Sequence, residues 1–202
     1  MRKLLTLIIL AATAISASAE FRWGPQIGWN MSNFYWHQPL LKSQQKSGFQ
    51  AGVLGELMIP GIGFGIDIGA RYAYHASTVN LGDQYIWSSD GYENGNFDLH
   101  RIEVPLHLRF KWTRMDGLEQ YVAPFAFVGP VFAFNVSQTK CNAIEHPLGS
   151  VGLEFGLGGE FLERIQLSAS YTWGVSYDIR TVKLDNMSAS SSSWNINVAY
   201  LF

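Results

Sequence analysis

The sequence predicts an all-β protein, an eight-stranded antiparallel up-and-down transmembrane β-barrel. Three observations carry that expectation. Large apolar side chains recur at every second position in eight segments, short and long connections alternate strictly between those segments, and the face opposite the apolar one is polar and often charged. The last segment is the plainest: Trp194, Ile196, Val198, Tyr200 and Phe202 share one face, while Asn195, Asn197 and Ala199 lie on the other.

The first segment runs from about Arg22 to Phe34, with Trp23, Ile27, Trp29 and Met31 against Arg22, Gln26, Asn30 and Ser32. A second, Gly48 to Ile59, sets Phe49, Ala51, Val53, Leu57 and Ile59 against Gln50, Gly52 and Glu56. In the third, Ile62 to His75, Phe64, Ile66, Ile68, Tyr72 and Tyr74 oppose Asp67, Gly69, Arg71 and His75. The fourth, Leu99 to Trp112, places Ile102, Val104, Leu106, Leu108, Phe110 and Trp112 opposite Arg101, Glu103, His107, Arg109 and Lys111. Segment five, Gln120 to Phe134, is apolar on both faces and contains Pro124 and Pro130, which predict a bulge or break because proline cannot donate to a ladder. The sixth, Ser150 to Phe161, opposes Val151, Leu153, Phe155 and Leu157 to Gly152, Glu154, Gly156, Gly158 and Glu160. The seventh alternates from Arg164 to Asp178.

Connections after segments two, four and six are short, and those after one, three, five and seven are long and polar. That alternation is how a membrane barrel with tight periplasmic turns and long outer loops is built. Trp23, Phe110, Trp112, Tyr200 and Phe202 are expected at the periplasmic girdle, and Tyr72, Tyr74, Trp173, Tyr177 and Trp194 at the outer one. An unpaired backbone group in lipid costs several kcal/mol, so first and last strands must pair. A soluble lipocalin-like barrel would place its apolar face inward. The candidate inner face here carries Glu56, Asp67, Arg71, Glu103, His107, Arg109, Lys111, Glu154 and Glu160, far too many charges for an apolar pocket.

Met1, Arg2 and Lys3 precede an apolar run, Leu4 to Ile15, and small residues Ser16 to Ala19. This reads as a secretory signal peptide over 1–19, cleaved after Ala19, with a single barrel domain over 20–202. Taking Arg2 and Lys3 from the 14 basic residues leaves 12 against 16 acidic, a formal charge of −4, which excludes a nucleic-acid footprint. The lone Cys141 can form no internal disulfide.

Four stretches carry a further likeness: Gly28-Trp29-Asn30-Met31-Ser32-Asn33-Phe34, Gly48-Phe49-Gln50-Ala51-Gly52-Val53, Arg101-Ile102-Glu103-Val104-Pro105-Leu106-His107-Leu108 and Val128-Gly129-Pro130. Together they resemble the outer-membrane β-barrel domain family of Bacteroidetes, which includes the PorT-like proteins and is often labelled porin family. The likeness spans 20–202. It implies a Gram-negative outer-membrane location, and in a few members of that family a link to type IX secretion. The ending Tyr200 and Phe202 likewise resembles the signal that the barrel-assembly machinery reads on a final strand.

An eight-stranded interior is just wide enough for side chains to fill. Glu56, Asp67, Glu103 and Glu154 interleaved with Arg71, Arg109 and Lys111 are therefore expected to form a lumen ion-pair network, with a narrow ion-selective pore lined by the same residues as the alternative. A lipid A-modifying enzyme would need His75, Ser176 and Asp178 together, and strands three and seven are not neighbours, so no catalytic residue is assigned. Gly61, Gly63, Gly65 and Gly69 alternate along a strand and make no nucleotide loop, as do Gly156, Gly158 and Gly159. The scattered histidines His37, His75, His100, His107 and His146 have no metal-ligand spacing. No cofactor and no metal are expected. The long loops, Gln38 to Ser47, Ser77 to Asn96, Asn135 to Gly149 and Ile179 to Ser193, are where an extracellular ligand would bind, the second carrying Tyr85, Trp87 and Tyr92 among Asp83, Asp90 and Glu93. The serine run Ser188 to Ser193 reads as flexible. The expected partners are outer-membrane lipid and, during biogenesis, the assembly machinery, with the barrel a monomer.

Overall fold

A computed structural model describes residues 20–36, 42–59, 62–80, 95–112, 117, 120–138, 144–145, 149–176, 179–181 and 188–202. Residues 1–19, expected to be a signal peptide, and His37, Cys141, His146, Tyr177, Asp178, Tyr85, Trp87 and Tyr92 lie outside the described residues. Eight long strands form the wall: β1 (Glu20–Trp36), β2 (Lys42–Met58), β3 (Phe64–Asn80), β4 (Gly95–Lys111), β5 (Val122–Gln138), β7 (Gly149–Phe161), β8 (Ile165–Gly174) and β10 (Ser188–Tyr200). Each pairs antiparallel with the next, and β1 pairs with β10, so the sheet closes. Two short strands, β6 (Ile144–Glu145) and β9 (Ile179–Thr181), pair with each other, and β9 continues onto the start of β10.

Alternation dictates which side chain faces which medium. Trp23, Ile27, Phe49, Ile68, Leu108, Val128, Leu157, Trp194 and Ile196 are exposed on the outside, while inward-facing Asn30, Gln50, Glu56, Asp67, Arg71, Glu103, Glu154 and Asn197 are buried. Charges inside and hydrocarbon outside invert the pattern of a water-soluble protein, and only a membrane makes that arrangement stable. Each of β1 to β5 has 17 residues, more than the roughly ten that a tilted strand needs to cross. Aromatic contacts ring the ends. Trp23 lies 5.7 Å from Phe202, Tyr200 5.2 Å from Phe202 and Phe110 4.8 Å from Trp112 at the short-turn end. At the other, Phe49 packs on Tyr74 at 5.6 Å and Tyr171 on Trp194 at 4.9 Å.

Three expectations are corrected and one holds in part. The prolines of β5 leave its ladder to β7 intact, in one register from Val122↔Phe161 to Phe134↔Gly149, and the expected local break appears on the β4 side alone. Pro124 turns its carbonyl, and so the edge that lacks an N–H, toward β4, where it accepts from Trp112 N at 2.9 Å. Pro130 lies six residues on and therefore turns the same edge, and the β4 ladder lapses only between Pro105↔Val131 and Leu108↔Val128. A register shift sits separately, between His100 and Arg101. Second, β8 stops at Gly174 rather than Asp178, because the N–H groups of Val175 and Ser176 both turn back to Val151 O, at 3.0 Å each. Third, the serine run is not a flexible segment. It forms the opening stretch of β10, with Ser192 opposite both Asn33 and Trp173. Fourth, the loops after β5 and β8 contain the paired strands β6 and β9.

The tightest connection is Leu162-Glu163, which joins β7 to β8 with φ of 52° and 58°. Positive φ at both central positions is the hairpin geometry whose twist matches the flanking strands. Arg164 N closes it onto Phe161 O at 3.1 Å, and Arg22 Nη1 donates to Glu163 O at 2.6 Å from across the barrel floor.

Candidate functional site

The lumen is the one concentration of charge among the described residues, and it falls into two tiers. At the short-turn end, Arg22 Nη2 donates to Glu56 Oε1 at 2.5 Å and Glu160 Oε2 at 2.8 Å. Lys111 Nζ reaches Glu160 at 2.8 Å and Glu56 at 3.2 Å. Arg109 Nη1 donates to Glu56 Oε2 at 2.8 Å, and its Nε to Asp67 Oδ2 at 2.7 Å. Gln166 Nε2 bridges Glu56 Oε2 at 2.6 Å and Glu160 Oε2 at 2.7 Å. Three cations thus face three carboxylates and the tier is formally neutral. Neutrality matters because each ion taken from water loses several kcal/mol of hydration that only close, well-aligned partners return.

Arg71 organises the second tier. Its Nε donates to Glu103 Oε2 and its Nη2 to Glu154 Oε2, each at 2.8 Å, so one guanidinium ties β4 to β7 through the lumen. His75 Nε2 lies 3.0 Å from Glu103 Oε1, and Ser170 Oγ donates to Glu154 Oε1 at 2.6 Å. Register explains which pairs meet. Arg71 stands directly opposite Glu103, Glu56 opposite both Arg22 and Asp67, and Glu160 opposite Gln166.

The charges leave one side of the lumen apolar. Inward-facing Ala123, Phe125, Phe127, Val131 and Ala133 of β5 are all buried. Phe125 supports the Arg109 guanidinium at 4.0 Å from its centroid, and Phe127 packs on His107 at 4.9 Å. Both rings need the glycines of β7: an added Cβ at Gly156 would stand 2.5 Å from Phe127 Cζ, and one at Gly158 2.7 Å from Phe125 Cε2. On the opposite wall the polar groups are uncharged, with Gln50 Nε2 donating to Asn197 Oδ1 and Asn195 Nδ2 to Thr172 Oγ1 at 3.0 Å.

All seven residues of the expected network, Glu56, Asp67, Arg71, Glu103, Arg109, Lys111 and Glu154, thus make ion pairs in the lumen, in two tiers rather than one chain. Arg22, Glu160 and Gln166 join the lower tier and were not assigned to it from sequence, although their inward parity was readable. His75 is 4% exposed, inside the lumen on Glu103. Ser176 is held at the edge of β7, where its Oγ accepts from Val151 N at 2.7 Å. Among the described residues no group of three or more His, Cys, Asp or Glu is placed to hold a metal ion.

A closed antiparallel wall with an apolar exterior, aromatic ends and a charged interior defines an outer-membrane-type β-barrel. A family model described as outer membrane protein beta-barrel domain matches residues 4–202, and the chain belongs to that family. Among solved structures it is similar to the outer membrane protein OprG from Pseudomonas aeruginosa, at 14% identity and a TM-score of 0.57, over 92% of this chain and 96% of that one. It is also similar to Ail, the attachment invasion locus protein of Yersinia pestis, at 15% identity and a TM-score of 0.44, over 91% and 99% of the two chains. Neisserial surface protein A follows at 14% identity and a TM-score of 0.44, over 90% and 99%. A comparison with curated proteins finds no match.

Proposed function

We propose that this protein is an outer-membrane barrel with a plugged lumen, whose role is structural or is carried by its surface loops rather than by transport through its centre. The observation supporting this reading is the Arg71 tier, in which one buried guanidinium spans from Glu103 to Glu154 across the interior. An ion crossing the barrel would have to break both of those charge-assisted bonds. Planar-bilayer recording tests it. The wild type is expected to show no steady conductance, and Arg71→Ala to admit small currents. Sustained, salt-dependent conductance of the wild type would replace the plug with the pore.

Two finer readings have their own tests. Membership of the PorT-like branch, with an accessory role in type IX secretion, requires that deletion strand secreted cargo in the periplasm. Lipid A modification has little support in the positions of its candidate groups, since His75 engages Glu103 in the lumen and Ser176 engages Val151. Unchanged lipid A masses on deletion would end it.

A further inference from the structure

Above the Arg71 tier, toward the long-connection end, the lumen holds a cavity of about 20 Å³, room for a guest of roughly the size of a water molecule or small ion. Its lining includes His75, Arg101, Ser150, Thr172, Ser193 and, as the one carboxylate, Glu103. Both oxygens of Glu103 already accept: Oε2 takes Arg71 Nε at 2.8 Å and Oε1 takes His75 Nε2 at 3.0 Å. What remains is rich in donors. Arg101 is buried and its Nη1 donates to Ser191 Oγ at 3.1 Å, which anchors a full positive charge in the wall. Thr172 Oγ1 already accepts from Asn195 Nδ2, so its own hydroxyl hydrogen points elsewhere. Most telling is His75, whose side chain is 5% exposed and whose Nδ1 has no hydrogen-bond partner among the described residues.

We propose that this cavity binds a small monovalent inorganic anion, chloride being the type, held by the Nδ1–H of protonated His75, the charge of Arg101 and the hydroxyls of Ser150, Thr172 and Ser193. The groups facing His75 are Glu103 and Arg101 from β4 and Arg71 from its own strand. The rest of the lining, from β5, β7, β8 and β10, carries no charge, for it consists of Val131, Ala133, Val151, glycines and hydroxyl residues. A proton on His75 and the anion stabilise each other, so anion affinity falls as the pH rises. The site does not depend on whether the lumen conducts, since the anion would sit beside the Arg71 tier in either case.

The test uses the intact barrel, refolded in zwitterionic micelles with its histidines ¹⁵N-labelled. Sodium chloride is titrated against sodium gluconate at matched ionic strength, at about pH 5.5 and about pH 8.5. A saturable shift of the His75 Nδ1 resonance in chloride only, weakened about tenfold or more at the higher pH, is expected. Arg101→Gln, checked for folding by its heat-dependent gel mobility, should lose at least about tenfold in chloride affinity. Bromide-soaked crystals of the wild type give a readout that needs no variant, because an anomalous peak beside His75 Nδ1 would place the anion directly. Identical titrations in the two salts, or crystals without that peak, would overturn the proposal and leave the cavity to water.

Discussion

Replacing Glu56 by glutamine removes the carboxylate on which the lower tier converges. Glu56 is 0% exposed and accepts from Arg22, Arg109, Lys111 and Gln166. Breaking a buried ion pair from one side costs about 3–5 kcal/mol, because the partner charge stays behind. Here each cation keeps a second carboxylate: Arg22 and Lys111 hold Glu160 at 2.8 Å, and Arg109 holds Asp67 at 2.7 Å. The tier nevertheless acquires one net positive charge, so Glu56→Gln is expected near the lower end, about 3 kcal/mol. Glu56→Gln combined with Lys111→Met restores neutrality and should recover about 2 kcal/mol as a coupling between the two sites. Urea unfolding of the barrel in lipid vesicles, followed by the fluorescence of its seven tryptophans, measures both. A single substitution within about 0.5 kcal/mol of wild type would refute the reasoning. It would mean that water screens the tier, and hence that the lumen is an open pore.

Other outcomes follow from particular contacts. Leu162→Asn and Glu163→Gly relieve side-chain crowding at positive φ and should each stabilise the barrel by about 1 kcal/mol, read as a higher urea midpoint. The Arg22 bond to Glu163 survives the second change because its acceptor is the backbone oxygen. Gly158→Ala should cost about 1–3 kcal/mol, since the new methyl meets the Phe125 ring and Leu167 O. Adding Phe125→Leu should return only a fraction of that, leaving the backbone contact, and full recovery would show that the carbonyl gives way. Phe202→Ala removes the partner that Trp23 meets at 5.7 Å, and should lower the amount of heat-modifiable protein in outer-membrane fractions while leaving expression unchanged.

The period of two was enough to read the fold. Trp194, Ile196, Val198, Tyr200 and Phe202 can share a face only in an extended chain, and a charged opposite face spread over strands two, three, four and six leaves lipid as the outer solvent. Local parity also placed Arg22, His75, Glu160 and Gln166 on the inner face. It could not say which of them meet. Arg22 and Glu160 are 138 residues apart and Arg71 and Glu154 are 83 apart, and their encounter depends on the stagger of strands that are not neighbours in the chain. The effect of proline was legible only in part, for a related reason. Its missing N–H matters only on the edge it faces, and which neighbour lies on that edge is a property of the ladder. Sequence by itself determined a closed barrel and its two faces, because both follow from side-chain spacing and from the need to pair every backbone group in lipid. Tertiary structure alone decided the division of the lumen into two ion-paired tiers and the cavity beside His75. Those depend on distances between side chains that only the closed, staggered wall brings within hydrogen-bond reach.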